Sequence, residues 1–341
     1  MRNWNLKINK ERSIQSEALY MSDYTACHLC PRGCGIDRNI TSGACRVMSN
    51  IKAARASLHF WEEPCISGKS GSGTVFFSGC NLGCVFCQNI EISRGKAGKE
   101  ITPERLTEIY FELEEQGAVN INLVTADHFL PTIAGTIEQA KMQGIRIPFL
   151  LNTSSYIKVD MLKRMEGLID IYLPDFKYIR EEDAIRYSHA PGYVETAKAA
   201  VAEMVRQQPD LVFQSSEDEL SLFQTDIRKE KNDEPAGQRL LRRGVAVRHL
   251  LLPGLLIQAK MILRYLYQTY GDKIIFSLLN QYTPNPDQLS ENYPEINRRV
   301  TEYEYHSLME YAAGLGIKNG YIQTGEAASE SFIPAFDLRG I

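Results

Sequence analysis

From residue 72 onward the chain alternates between short apolar runs rich in β-branched residues and longer amphipathic stretches. The runs predict strands at Thr74–Ser78, Val119–Thr125, Ile147–Asn152, Ile169–Leu173, Val245–Leu252 and Lys273–Asn280, with a short one at Gly320–Gln323. The stretches between them predict helices near 103–116, 131–143, 158–166, 181–207, 255–270 and 302–314. Thr102 followed by Pro103 reads as a helix start, a capping hydroxyl ahead of a proline whose missing N–H is not needed there. Gly117, Gly144 and Gly167 fall where helices end in left-handed caps. Strands alternating with helices imply βαβ units on a parallel sheet. About six such units predict an α/β fold, a partial (βα)6 TIM-like barrel, with a doubly wound sheet as the competing arrangement.

Two regions break this rhythm. Residues 1–72 are cysteine-rich and poor in periodicity, and read as an N-terminal extension to a barrel and C-terminal cap over 73–341. Residues 215–244, SSEDELSLFQTDIRKEKNDEPAGQRLLRRG, mix charges of both signs with little apolar pattern. The part near 215–236 reads as a long solvated loop, with a docking role as the sharper alternative.

Composition narrows the class. Of the 341 residues, 44% are apolar and 23% charged, as in an ordinary globular protein and unlike a disordered chain. A net charge of -4 leaves no basic footprint for nucleic acid. No apolar run is long enough to span a bilayer, so no membrane partner is expected. The opening residues lack the apolar core of a secretory signal, which makes the cytoplasm the expected compartment.

All eight cysteines fall between Cys27 and Cys87. Clustered cysteines in an enzyme-sized cytosolic chain read as metal ligands rather than as a disulfide framework. Cys80, Cys84 and Cys87 follow the first predicted strand directly, within GSGTVFFSGCNLGCVFCQN. Three thiolates on one tight loop can hold a four-iron cluster and leave its fourth iron open. Gly79 and Gly83 let the backbone wrap a bulky group.

The spacing Cys-x3-Cys-x2-Cys, with Phe86 before the last cysteine, resembles the signature of radical S-adenosylmethionine enzymes. EEPCISGKSGSGTVFFSGCNLGCVFCQN, IYLPDFKY, VRHLLLPG, NQYTPNP and FIPAFDLRG are similar to the uncharacterised branch related to pyruvate formate-lyase activating enzyme. The resemblance implies a [4Fe-4S] cluster on Cys80, Cys84 and Cys87. Its open iron chelates S-adenosylmethionine, whose reductive cleavage gives a 5'-deoxyadenosyl radical that abstracts hydrogen. It further implies an electron donor such as flavodoxin or ferredoxin, and a protein substrate resembling a glycyl-radical enzyme.

In a barrel the chemistry sits at the C-terminal ends of the strands. Polar residues gather at those ends, at Thr125 and Asp127, Asn152 and Thr153, Asp175 and Lys177, and Arg248 with His249. Alternation lets only one of Arg248 and His249 face the interior. Activating enzymes hold the S-adenosylmethionine amino group with Gly-Gly-Glu after the second strand. This chain has Thr125-Ala126-Asp127-His128-Phe129 there, leaving Thr125 and Asp127 as candidates. The family's Asp-Thr pair is matched by Asn152-Thr153 without the carboxylate, and its Asp-x-Lys by Asp175 and Lys177. The lysine is expected to meet the methionine carboxylate.

Cys27, Cys30, Cys34 and Cys45 form a second group with a Cys-x2-Cys knuckle. Four thiolates suit a closed structural zinc site or a second iron–sulfur cluster. Preceding the first barrel strand, they need not lie at the catalytic face. The resulting expectation is a glycyl-radical activase-like enzyme. The alternatives are a radical enzyme modifying another protein or a small molecule, or a non-catalytic iron–sulfur or zinc protein.

Overall fold

The structure is a computed structural model that describes residues 23–214, 239–285, 289, 292–323 and 334–341. Its strands are β1 (Lys52–His59), β2 (Ser72–Phe77), β3 (Lys99–Glu100), β4 (Ile121–Val124), β5 (Phe149–Thr153), β6 (Ile171–Pro174), β7 (Val212–Phe213), β8 (Leu241–Leu250), β9 (Ile275–Leu279) and β10 (Gly320–Ile322). They form one sheet in the order β10-β9-β8-β6-β5-β4-β2-β1-β3, with β7 paired to β8. From β2 through β10 the neighbours along this order run parallel, with helices in the connections, so the partial TIM-like barrel is the architecture adopted. Each expected strand is present, shifted by a few residues, because strand ends depend on pairing that periodicity does not report.

The helix at Pro103–Glu115 starts as expected, with the Thr102 side chain accepting from the Arg105 amide at 3.2 Å. The helix predicted over 181–207 is instead two, Glu181–Ser188 and Tyr193–Gln207. Ala190-Pro191-Gly192 breaks it. A proline cannot donate to the helical ladder, and His189 and Gly192 both take left-handed backbone angles. The break sets Ser188 at a helix end that faces the cysteine loop.

β1 is the element the periodicity missed, since its buried positions are the small Ala53, Ala54 and Ala56. It pairs antiparallel with β2 from Ala53↔Phe77 to His59↔Ser72. The C-terminal residues run along its other edge, where Ala56 donates to Arg339 at 2.8 Å and Leu338 to Ala54 at 3.1 Å. Residues 52–59, expected in a separate extension, are therefore built into the barrel sheet. After β1 the chain crosses beneath the barrel, and the short helix Pro64–Ser67 plugs its floor. Cys65 and Ile66 pack there against Leu150, Ile171, Leu173, Leu241, Ala246 and Ile275. Cys65 is 1% exposed and serves as a small packed residue.

The segment carrying the first cysteine group is held by the buried Arg38. Its guanidinium donates to the carbonyls of His128 at 2.7 Å, Met48 at 2.6 Å and Val47 at 3.3 Å, and lies over the rings of Tyr24 and Phe129. The charged loop near 215–236 lies outside the described residues. Among the described residues no helix is long and apolar enough to cross a membrane.

Candidate active site

The loop after β2 lies along one wall of a cavity of about 850 Å³. Cys80, Cys84 and Cys87 line it, together with Thr125 after β4, Asn152 and Thr153 on β5, Asp175 and Lys177 after β6, and Arg248 on β8. The parallel sheet brings these strand ends to one face, as barrel topology requires.

Local packing fixes the loop's shape. Gly79 has φ 90, and a Cβ there would lie 2.7 Å from the Cys45 carbonyl. Gly83 has φ 102, with the Arg46 guanidinium 3.1 Å from where its Cβ would be. Asn81 donates to the Tyr156 carbonyl at 2.7 Å, and the Val85 amide to Tyr187 at 2.9 Å. Arg32 clamps the loop from outside, donating to Asn81 O at 2.7 Å and Leu82 O at 2.8 Å, and to the carbonyl of His189.

The sulfurs carry hydrogen-bond donors suited to thiolates. The Leu82 amide points at Cys80 Sγ at 3.4 Å, and Ser188 Oγ at Cys84 Sγ at 2.9 Å. Burial pushes the Cys80 thiol up to about 12 and also raises that of Cys84, which Lys177 partly offsets. A cationic metal would supply the charge that turns these buried thiols into ligands. Among the described residues no three His, Cys, Asp or Glu side chains gather round a single point close enough for one metal ion. A cluster makes no such demand, since each thiolate takes its own iron. Three thiols on one loop, facing a cavity with donors behind them, fit that group.

The same cavity is lined by a chain of ion pairs. Lys177 Nζ donates to Asp175 Oδ2 at 2.7 Å. Arg248 donates through Nε to Asp175 Oδ1 at 2.9 Å, and through its terminal nitrogens to Glu62 Oε2 at 3.1 Å and Asn152 Oδ1 at 2.5 Å. Burial pushes Asp175 up, but Lys177 and Arg248 together outweigh it and hold the carboxyl below its ordinary range. Burial works against the Lys177 charge, and Asp175 more than restores it. His249 points away from the cavity, its Nδ1 2.8 Å from Phe176 O.

The two candidates after β4 separate. Thr125 lines the cavity, with an unusual left-handed φ of 59 for a β-branched residue. A glycine in the family pattern suits that angle. Asp127 does not line the cavity and is 1% exposed, which corrects the expectation that it could face S-adenosylmethionine. Its carboxyl turns inward because the chain has left the strand and alternation no longer sets the facing. His128 is buried as well, its Nε2 2.9 Å from Ser78 O, and burial lowers its pKa to about 3.

The first cysteine group stands against the same loop. Cys27, Cys30 and Cys45 are buried and Cys34 is half-buried. Burial raises Cys30 to about 11, with Cys45, Cys34 and Cys27 adding to the effect. Nothing in its place ahead of the first barrel strand required this group to lie near the catalytic face, but its segment abuts the cysteine loop, with Cys80 N donating to Cys45 O at 3.1 Å. Sequence reasoning also missed Glu62, Glu63 and Ser188. Nothing in the periodicity marks the first two, whereas the Pro191-Gly192 break could have exposed Ser188.

Residues 74–214 match the family model of the Radical SAM superfamily. That stretch is a domain of the superfamily, whose membership implies a [4Fe-4S] cluster, S-adenosylmethionine and an electron donor. The chain's motifs resemble the branch related to pyruvate formate-lyase activating enzyme. An uncharacterised protein of Methanocaldococcus jannaschii is 26% identical over 294 residues, covering 84% of this chain and 74% of that protein. Among solved structures, Streptococcus suis SuiB bound to precursor peptide SuiA aligns with TM-score 0.43 and 8% identity, over 73% of this chain. The chain spans about half the length of that structure, at 48%. A domain of pyruvate-formate lyase-activating enzyme from Bacteroides vulgatus aligns with TM-score 0.37 and 12% identity, over 57% of this chain and 91% of that one.

Proposed function

We propose that this chain is a glycyl-radical activase-like oxidoreductase that abstracts hydrogen from a backbone glycine of a partner enzyme. The observation that carries the reading is the meeting of Cys80, Cys84 and Cys87 with Lys177, Asp175 and Arg248 around one cavity. Cys80, Cys84 and Cys87 would hold the cluster. When bound, the cluster supplies the electron that splits S-adenosylmethionine into methionine and a 5'-deoxyadenosyl radical, which takes a hydrogen atom. Lys177 offers a point charge to the methionine carboxylate, and Asp175 aims it. Thr125, Asn152 and Thr153 border the same space, and Arg248 locks Asp175 and Asn152 in place. Cys27, Cys30, Cys34 and Cys45 would hold a second cluster, or zinc once their sulfurs close on a single point. Residues 23–51 are the extension proper, with the barrel beginning at β1. A flavodoxin or ferredoxin supplies electrons.

A second reading, a small-molecule substrate, draws support from the plug at Pro64–Ser67, which closes the barrel beneath the cavity. Deuterium separates the two. A co-purifying protein grown with deuterated glycine should pass label into 5'-deoxyadenosine and gain an organic radical signal in electron paramagnetic resonance. Label transfer only from a metabolite fraction overturns the glycine reading.

A further inference from the structure

The barrel floor raises two carboxylates toward the cavity, and they are treated differently. Glu62 is fully engaged, accepting from Arg248 at 3.1 Å and from Asn122 Nδ2 at 2.9 Å. Its neighbour Glu63 is 7% exposed, lines the cavity, and has no hydrogen-bond partner among the described residues on either carboxylate oxygen. Arg248 donates instead to Asp175, Glu62 and Asn152 and makes no hydrogen bond to Glu63. Ser277 lies alongside without making a hydrogen bond to it. Arg248, Ser277 and Tyr321 form one register row across β8, β9 and β10, and all three line the cavity beside Glu63.

A buried carboxylate with both oxygens unpartnered is costly to the fold. Protonation does not remove the deficit, because it leaves an O–H donor and an acceptor still unpaired. Burial raises the Glu63 pKa, Arg248 opposes the shift, and Glu62 adds to it. Phe60 and Trp61, 50% and 61% exposed, line the cavity immediately before the pair. Aromatic faces beside carboxylates are the surroundings that suit an organic cation.

We propose that Glu63, supported by Glu62, is a subsite for a positively charged nitrogen group of the substrate, a protonated amine or a guanidinium. The site anchors the substrate at the floor while the cysteine loop faces it from the other side of the cavity. Only the word substrate rests on the function proposed above; cation binding is measured without turnover.

The test titrates n-butylammonium and methylguanidinium chlorides into the anaerobically reconstituted full chain at constant chloride. n-Butanol and N-methylurea serve as neutral counterparts, and titrations are repeated with saturating S-adenosylmethionine and no reductant. Saturable binding of one cation, absent for its neutral counterpart and at least tenfold weaker in Glu63→Gln, is expected. It should persist when S-adenosylmethionine is bound. Displacement by S-adenosylmethionine would assign the site to that molecule's own ammonium and overturn the proposal, as would no saturable binding or equal binding by Glu63→Gln. Thermal melting adds a second readout. A carboxylate kept for a ligand predicts that Glu63→Gln and Glu63→Met melt at or above the wild-type temperature. A drop of several degrees in both would make Glu63 structural.

Discussion

The amide of Cys80 donates to the carbonyl of Cys45 at 3.1 Å, tying the last member of one cysteine group to the first member of the other. The N-terminal segment therefore forms the outer wall of the loop that faces the cavity. Gly79 has no room for a Cβ because Cys45 and Val47 occupy that space. Arg32 and Arg38 complete the attachment through backbone carbonyls. Ordering the first segment and shaping the second are one event.

A Cys27→Ser, Cys30→Ser double variant tests this coupling. It is expected to lower the melting temperature and to slow 5'-deoxyadenosine formation severalfold, because the Cys80 anchor moves when Cys45 is released. Metal analysis reads which group the tetrad holds. Loss of zinc with iron retained indicates a structural site, and loss of about four irons indicates a second cluster. Unchanged melting and turnover would show the two segments to be independent.

Lys177→Ala is expected to weaken S-adenosylmethionine binding by about one to two decades, the worth of a charge-assisted contact of roughly 1.5–3 kcal/mol. The same change leaves Asp175 with Arg248 as its remaining charge partner, so the fold should survive. Calorimetric titration of the reconstituted protein measures the effect. An unchanged dissociation constant with an intact melting curve removes Lys177 from the site.

Asp127 makes a prediction about pH. Burial pushes its carboxyl from 3.8 up to about 7, opposed by Thr153 and Ser154. Between about pH 4 and pH 7 the native state then holds a proton that the unfolded chain has lost. Stability falls as pH rises through that window and levels off above it. Asp127→Asn should abolish this fall, gaining on the order of 2–4 kcal/mol at pH 8 and little at pH 4. Urea denaturation at the two pH values checks it; parallel gains at both would contradict the assignment.

Ser188 donates to Cys84 Sγ at 2.9 Å, and hydrogen bonds to cluster sulfurs favour the more reduced, more negative state. Ser188→Ala should lower the cluster's reduction potential by on the order of 50 mV, equivalent to ~1 kcal/mol for one electron. Redox titration followed by electron paramagnetic resonance measures it. A potential that stays or rises would mean the hydroxyl does not reach the sulfur in the loaded protein.

The sequence carried the barrel and the strand-end residues because both follow from local pattern. Cys80, Cys84 and Cys87 announce themselves by spacing, and Asn152, Asp175, Lys177 and Arg248 by falling where parallel strands end. Asp127 misled because facing is undetermined once a strand has finished. Glu62 and Glu63 were invisible for a different reason. They precede the first parallel strand, in a segment without periodicity, and enter the cavity only because β1 runs antiparallel to β2 and delivers the chain beneath the barrel. Tertiary placement of this kind leaves no local signature. Arg38 is similar, since a charged residue 1% exposed has no expected position in a hydropathy pattern.

The most direct measurement is of 5'-deoxyadenosine formed by the anaerobically reconstituted chain with dithionite and S-adenosylmethionine. The account predicts cleavage that requires reductant and is abolished by alanine at each of Cys80, Cys84 and Cys87, with the Cys65→Ala variant still active. Cleavage that survives in any of the three variants, or its absence from a wild-type chain carrying a full cluster and bound S-adenosylmethionine, would contradict it.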